Sequence, residues 1–213
     1  MSLQKAKVLS TEPLEIKDSK WVTLKKHTYL TASTTDKTSI YESAQRLTRP
    51  ANSPIDGVGI VAILEPKDSP PLILLQKQFR PPIDKICIEV PAGLMDEGET
   101  AEECALRELK EETGYVGQIC GGGFAGTGIM WNDPGFCNTN LRMIHVTIDL
   151  TNPPSNKNPT PNLEENEFID NFTVPLRDLY RKCEELEAEG YAIDARVSTL
   201  AEGIEVARRW KIT

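Results

Sequence analysis

The stretch Gly93-Leu94-Met95-Asp96-Glu97-Gly98-Glu99-Thr100-Ala101-Glu102-Glu103-Cys104-Ala105-Leu106-Arg107-Glu108-Leu109-Lys110-Glu111-Glu112-Thr113-Gly114-Tyr115 encodes a loop, a helix and a stop. Thr100 followed three residues later by Glu103 is a capping box, so a helix starts there. Gly114 is placed to end it in the left-handed conformation. Ala101, Ala105 and Leu109 recur every four residues and form an apolar stripe for packing on a sheet. Glu108, Glu111 and Glu112 stand at i, i+3 and i+4, so they share one neighbouring face. Like charges at that spacing cost a helix ~0.2–0.5 kcal/mol per pair, so this face is poorly chosen for structure alone. A hard divalent cation resolves the repulsion. Mg²⁺ favours oxygen ligands and is usually held by a few carboxylates together with substrate phosphates. The two glycines of residues 93–99 let backbone carbonyls approach the same ion.

Working outward, residues 58–64 and 72–75 are near-continuous apolar runs, the pattern of strands buried on both faces. Residues 86–90 form a short strand that stops at Pro91. Further strands are expected over 118–124, 141–150 and 168–174, with closing helices over 176–189 and 193–211 split by Gly190. Residues 151–162 hold Pro153, Pro154, Pro159 and Pro161 and read as a long exposed loop. A sheet with helices on both sides makes the main domain an α/β sandwich. Before it, residues 21–24, 27–30 and 39–44 are rich in β-branched and aromatic residues, with Thr35-Asp36-Lys37 as a turn. Such a ribbon has little core of its own and must pack on the main domain or a second subunit. Pro50 and Ser53-Pro54 mark a boundary, giving an N-terminal antiparallel β region over 1–55 and a catalytic domain over 56–213.

At 213 residues the chain is long enough to bury a core without disulfides or a structural metal. A net charge of −8 supplies no basic excess, which argues against a nucleic-acid partner. The five cysteines form no CxxC pair, so no zinc knuckle or dithiol motif is encoded. With no signal-peptide core, a reducing cytoplasmic or nuclear compartment is expected. No apolar run approaches the ~18 residues of a membrane span. His27 and His145 sit far apart on strand-like segments and are expected to be ordinary strand residues.

A run of Glu usually means a solvated face. Here the spacing G-x5-E-x7-R-E-L-x-E-E-x-G-Y resembles the signature of the Nudix hydrolases at every fixed position. Glu89-Val90-Pro91-Ala92-Gly93-Leu94, residues 77–82 and Asn132-Asp133-Pro134-Gly135 resemble the ADP-ribose pyrophosphatase branch of that family. The likeness extends to Lys20-Trp21-Val22, Tyr41-Glu42-Ser43 and Glu167-Phe168.

The resemblance implies a Nudix α/β/α sandwich with a mixed sheet, and hydrolysis of ADP-ribose or other ADP-sugars to AMP and a sugar phosphate. It implies Mg²⁺, with Mn²⁺ able to substitute, held by the Ala92 carbonyl, Glu108 and Glu112, with Glu111 assisting. Gly93, Glu99 and Arg107 would brace the loop against the helix. Arg80 and Arg46 would meet the phosphates and terminal ribose, Asp133 would contact substrate, and Glu167 would orient or deprotonate water. Trp21 and Tyr41, from two subunits of a homodimer, would sandwich the adenine. Close relatives carry Trp where this chain has Tyr41. The alternatives are another nucleotide-sugar or damaged-nucleotide diphosphatase, and a silent ADP-ribose-binding module.

Overall fold

A computed structural model describes residues 3–32, 37–165 and 167–212. Two strands, β1 (Val22–Leu30) and β2 (Thr38–Arg46), form a separate antiparallel ribbon in the register Val22↔Arg46 to Leu30↔Thr38. Thr35 and Asp36 of the expected turn lie outside the described residues. Then come β3 (Gly57–Leu64), β4 (Leu72–Arg80), β5 (Lys85–Glu89), β6 (Ala92–Leu94) and α1 (Ala101–Thr113). They are followed by β7 (Gln118–Ile119), β8 (Met130–Trp131), β9 (Asn140–Ile148), β10 (Ile169–Pro175), α2 (Leu179–Ala188), β11 (Ala192–Ile193) and α3 (Ala195–Trp210). β3 to β11 make one mixed sheet: β3 runs parallel to β9 and antiparallel to β4, while β11 runs parallel to β5.

The apolar runs of the strands serve both faces, as their lack of alternation requires. Val58, Ile60, Ala62 and Leu64 of β3 join Leu74, Ile144, Val146 and Ile148 in a core with Ala101, Cys104, Ala105 and Leu109 of α1. Their neighbours Ile73 and Leu75 point the other way, with Leu141 and Met143, into a second core closed by Leu179 and Leu186 of α2 and Val197 and Ala201 of α3. The period-two swap between faces follows from the pleat. The result is the expected three-layer sandwich.

The site depends on a split in the sheet. β3 and β4 pair only through Ile63↔Ile73 and Leu64↔Leu72. Beyond that point they part: β5 continues along β4, while β6 continues along the Gly57–Gly59 end of β3. Pro91 sits at the step between β5 and β6, and its carbonyl accepts from Ile60 N–H at 2.8 Å.

Several expected boundaries move. The strand expected over 118–124 ends at Ile119. Gly122 and Gly123 turn the chain there with positive φ, which glycine adopts without strain. Pro175 delays the helix expected from 176: Leu176–Asp178 is a 3-10 turn and α2 begins at Leu179. Ile193 is drawn into β11, and Asp194 caps α3 by accepting from Arg196 N–H at 2.8 Å. The Pro-rich loop is pinned rather than free. Asn156, 1% exposed, accepts from Val116 N–H at 2.9 Å and donates to the carbonyls of Val116 and Asp149, both at 2.8 Å.

Asn156→Ala leaves three part-buried backbone groups without this partner and should lower stability by about 1–2 kcal/mol. Urea unfolding checks this; a midpoint equal to wild type would mean the loop is not anchored there.

Candidate active site

Local chemistry sets the phase of α1. Thr100 Oγ1 accepts from Glu103 N–H at 3.2 Å, and the Glu103 carboxylate accepts from Thr100 N–H at 2.8 Å. At the other end Gly114 adopts φ 76° and donates to the Lys110 carbonyl at 2.9 Å. With Ala101, Ala105 and Leu109 buried against the sheet, the face carrying Glu108, Glu111 and Glu112 turns toward β6 and the loop after it.

Glu112, only 4% exposed, sits at the split in the sheet. Its Oε2 accepts from Gln76 Nε2 and from Ala92 N–H, each at 3.1 Å. Burial pushes its carboxyl up to about 8, against the pull of those two donors, and the charges of Glu108 and Glu167 push the same way. Glu108 is raised too, mainly by burial, with the Arg107 guanidinium opposing. It lies directly against β6. A Cβ on Gly93 would fall 1.9 Å from Glu108 Cδ, and one on Gly57 would fall 2.3 Å from the Gly93 carbonyl oxygen. Both positions need glycine for this close stacking.

Arg107 ties the loop to the helix. Its guanidinium donates to Glu99 at 2.7 and 3.2 Å, to Glu108 at 2.8 Å, to Glu111 at 3.2 Å and to the Leu94 carbonyl at 3.1 Å. Arg107 holds the Glu99 carboxyl below its usual range, and Glu99 also accepts from Asp96 N–H at 2.7 Å.

Arg107, Glu108, Glu111 and Glu112 line a polar cleft of about 560 Å³ with Ala92, Gly93, Arg80, Gln78 and Glu167. Glu167 accepts from Glu164 N–H at 3.1 Å through Oε2. Arg80 also faces an adjoining hollow of about 280 Å³ shared with Arg46, Ala92, Gly93, Asn132 and Arg196. The other sequence-predicted residues stand apart within one chain. Trp21 is 67% exposed at the start of the ribbon, and Tyr41 donates through its hydroxyl to the Gly135 carbonyl at 2.7 Å. The two are about 20 Å apart along the ribbon at the rise of an extended strand. Asp133 is in the turn before Cys137, and its carbonyl accepts from Phe136 and Cys137 N–H. His27 and His145 are strand residues; His145 stacks on Phe124 with ring centroids 4.1 Å apart.

Among the described residues no three His, Cys, Asp or Glu side chains converge as a ready-made metal cage. Glu108 and Glu111 are turned onto Arg107 instead. The donor set nevertheless fits a hard cation. It is all oxygen, and both carboxyls are raised by burial first, with repulsion from Glu108 and Glu167 adding for Glu112 and from Glu111 and Glu167 for Glu108. Mg²⁺ needs only one or two carboxylates because it keeps several waters.

Sequence reading missed Gln76, Glu89 and Arg196. The signal for the first two is a polar residue inside an apolar strand: Gln76 is 2% exposed and Glu89 4%. Glu89 holds Arg80 through two bonds of 2.6 Å.

A mixed sheet between helices, with a carboxylate helix facing a split strand pair, defines an α/β/α scaffold with an acidic cleft. The chain belongs to the Nudix family: the NUDIX domain model matches residues 54–197. The chain is 45% identical over 199 residues to the ADP-ribose pyrophosphatase of Saccharomyces cerevisiae, covering 93% of this chain and 83% of that protein. It is 35% identical over 192 residues to the ADP-sugar pyrophosphatase of Mus musculus, covering 90% and 84%. A Schizosaccharomyces pombe protein described as an uncharacterized Nudix hydrolase is 44% identical over 97% of both chains. The fold matches a crystal structure of an ADP compounds hydrolase with a TM-score of 0.57 at 18% identity, over 99% of this chain and 98% of that one.

The Glu112 carboxyl is raised to about 8 from the 4.5 of an unfolded chain. Its contribution to stability is therefore full below the unfolded value and is lost as pH rises through the folded one. In chelator, Glu112→Gln should melt above wild type at pH 9, with the gap closing toward pH 5. Scanning calorimetry at the two pH values checks this; a gap independent of pH would contradict the burial of an ionising carboxyl.

Proposed function

We propose that the chain hydrolyses the diphosphate of ADP-ribose, and of related ADP-sugars, to AMP and a sugar phosphate (ribose 5-phosphate from ADP-ribose), with Mg²⁺ as cofactor and Mn²⁺ able to substitute. The observation that carries this reading is the gathering of Glu108, Glu111, Glu112 and Glu167 in one cleft rimmed by Arg80. The names of the yeast and mouse relatives supply the substrate class. Glu108, Glu112 and the Ala92 carbonyl would hold the cation, with Glu111 assisting. When bound, it would supply charge for the phosphoryl oxygens and acidity for a water. Arg80 and Arg46 would clamp the diphosphate by charge-assisted hydrogen bonds. Glu167 would take the proton of the attacking water. The water oxygen would bond to one phosphorus as the bridging P–O bond breaks, releasing AMP and the sugar phosphate.

Residues 1–55 would serve dimerisation and base binding, and 56–213 catalysis. The ribbon leaves Leu24, Leu30 and Ile40 largely exposed. Exposed apolar side chains gathered on one ribbon mark a surface for interaction. A second copy of the chain would cover it. Trp21 and Tyr41, too far apart in one chain to grip one ring, would then meet an adenine from two subunits. Asp133, beside the Tyr41 contact, would reach substrate by the same route. A cytoplasmic or nuclear compartment suits the five free cysteines. No described helix is long and apolar enough to cross a membrane.

AMP release from ADP-ribose with Mg²⁺, compared with GDP-mannose and NADH, tests the reaction. ADP-ribose should be preferred, and Glu112→Gln should lower kcat by about 10²-fold or more. Binding of ADP-ribose without turnover would refute the enzyme reading.

The shared site is tested by mixing. Trp21→Ala and Tyr41→Ala should each raise KM, since stacking is a binding contribution. Co-refolding the two variants should restore one intact site per heterodimer and a low-KM component. No recovery would contradict a base sandwiched between subunits.

A further inference from the structure

The edge of the cleft holds a charged chain that the proposed reaction does not by itself require. Arg80, at the end of β4, is 44% exposed and bonds both Glu89 oxygens at 2.6 Å, while the Glu89 side chain is only 5% exposed. The same Glu89 Oε2 has a second cation beside it, Arg196 Nη2 at 3.7 Å. Arg196 is fixed by Asp194 through bonds of 2.7 and 2.9 Å. Both residues are brought here by β11, whose parallel pairing with Cys87 and Ile88 sets the start of α3 against the end of β5. Asp194 N–H donates to the Ile88 carbonyl at 3.0 Å and locks that placement. Two carboxylates and two guanidiniums thus balance at this edge, with Arg80 the outermost.

A diphosphate in the cleft competes with Glu89 for Arg80. If Arg80 leaves, a nearly dry carboxylate stays behind, and an unpaired buried charge is strongly unfavourable. That cost would be subtracted from substrate binding. We propose that Arg196 is a positioning residue that takes over Glu89 when Arg80 turns to the substrate diphosphate, so that the diphosphate binds by exchange of one ion pair for another. Only a small approach of Nη2 is needed, since its present 3.7 Å is already within ion-pair reach. A close charge-assisted bond is about 2.8 Å long. The exchange rests on the proposed function only in taking a diphosphate as the ligand of Arg80.

The test uses the full chain with ADP-ribose and inorganic pyrophosphate as probes, binding measured by calorimetry in Mg²⁺. Arg196→Gln keeps a donor for Asp194 and removes the cation. It should weaken both probes about thirtyfold or more, the lower end of the scale for losing one partner of a buried charge pair, while Arg196→Lys retains most of the affinity. In a Glu89→Gln background, where no carboxylate is stranded, Arg196→Gln should change neither affinity. An equal loss in both backgrounds, or one that Arg196→Lys fails to rescue, would mark Arg196 as merely structural and overturn the exchange. So would wild-type affinity in Arg196→Gln. Probe binding that ignores Arg80→Ala would instead overturn the diphosphate assignment itself, and the exchange with it.

Discussion

A carboxylate buried at the parting of two strands organises this molecule. Glu112 lies where β3 and β4 separate, held by Gln76 from β4 and by the Ala92 amide from β6, while its own helix is anchored to the same sheet by an apolar stripe. Burying a charge there is unfavourable unless something compensates. Two hydrogen bonds compensate in part, and the neighbouring charges of Glu108 and Glu167 worsen the balance. The cleft therefore disfavours the ionised form of Glu112 unless a positive charge is brought to it. The packing around it has little freedom: Gly57, Gly93 and Glu108 stack at distances no Cβ could share.

Around that centre the arginines divide the work by their partners. Arg107 is committed to protein oxygens and fastens the loop over residues 94–99 to the helix. Arg80 has a carboxylate partner that can be given up, because a second guanidinium stands behind it. Arg49 ties the base of the ribbon to the sheet through the buried Asp56, at 2.6 Å, and the Asn138 carbonyl. The ribbon is thus held at its root while Leu24, Leu30 and Ile40 stay largely exposed.

The parts of this picture set by local interactions were legible in the sequence. Thr100, Glu103 and Gly114 fix α1 through bonds within four residues, so its limits follow from spacing. The strands over Gly57–Leu64 and Asn140–Ile148 are announced by apolar runs that bury both faces. The split in the sheet was not legible, since the three-residue β6 and the two-residue β11 exist only through their pairing partners. Residues at those junctions were missed for the same reason. Gln76 meets Glu112 from a distant strand, and Glu89 meets Arg196 from far along the chain. Carboxylate positions on one helix face could be read, whereas the turning of Glu108 and Glu111 onto Arg107 is a conformational choice that spacing does not encode.

The most direct test of the central claim is titration of free Mn²⁺ followed by electron paramagnetic resonance, on wild type and Glu112→Gln at pH 6 and pH 8.5. The account predicts that wild type removes the free-ion signal and binds more tightly at pH 8.5, as protons leave the raised carboxyls, and that the substitution abolishes most of that binding at both pH values. Equal Mn²⁺ affinity in the two proteins, or affinity in wild type that does not rise with pH, would contradict it.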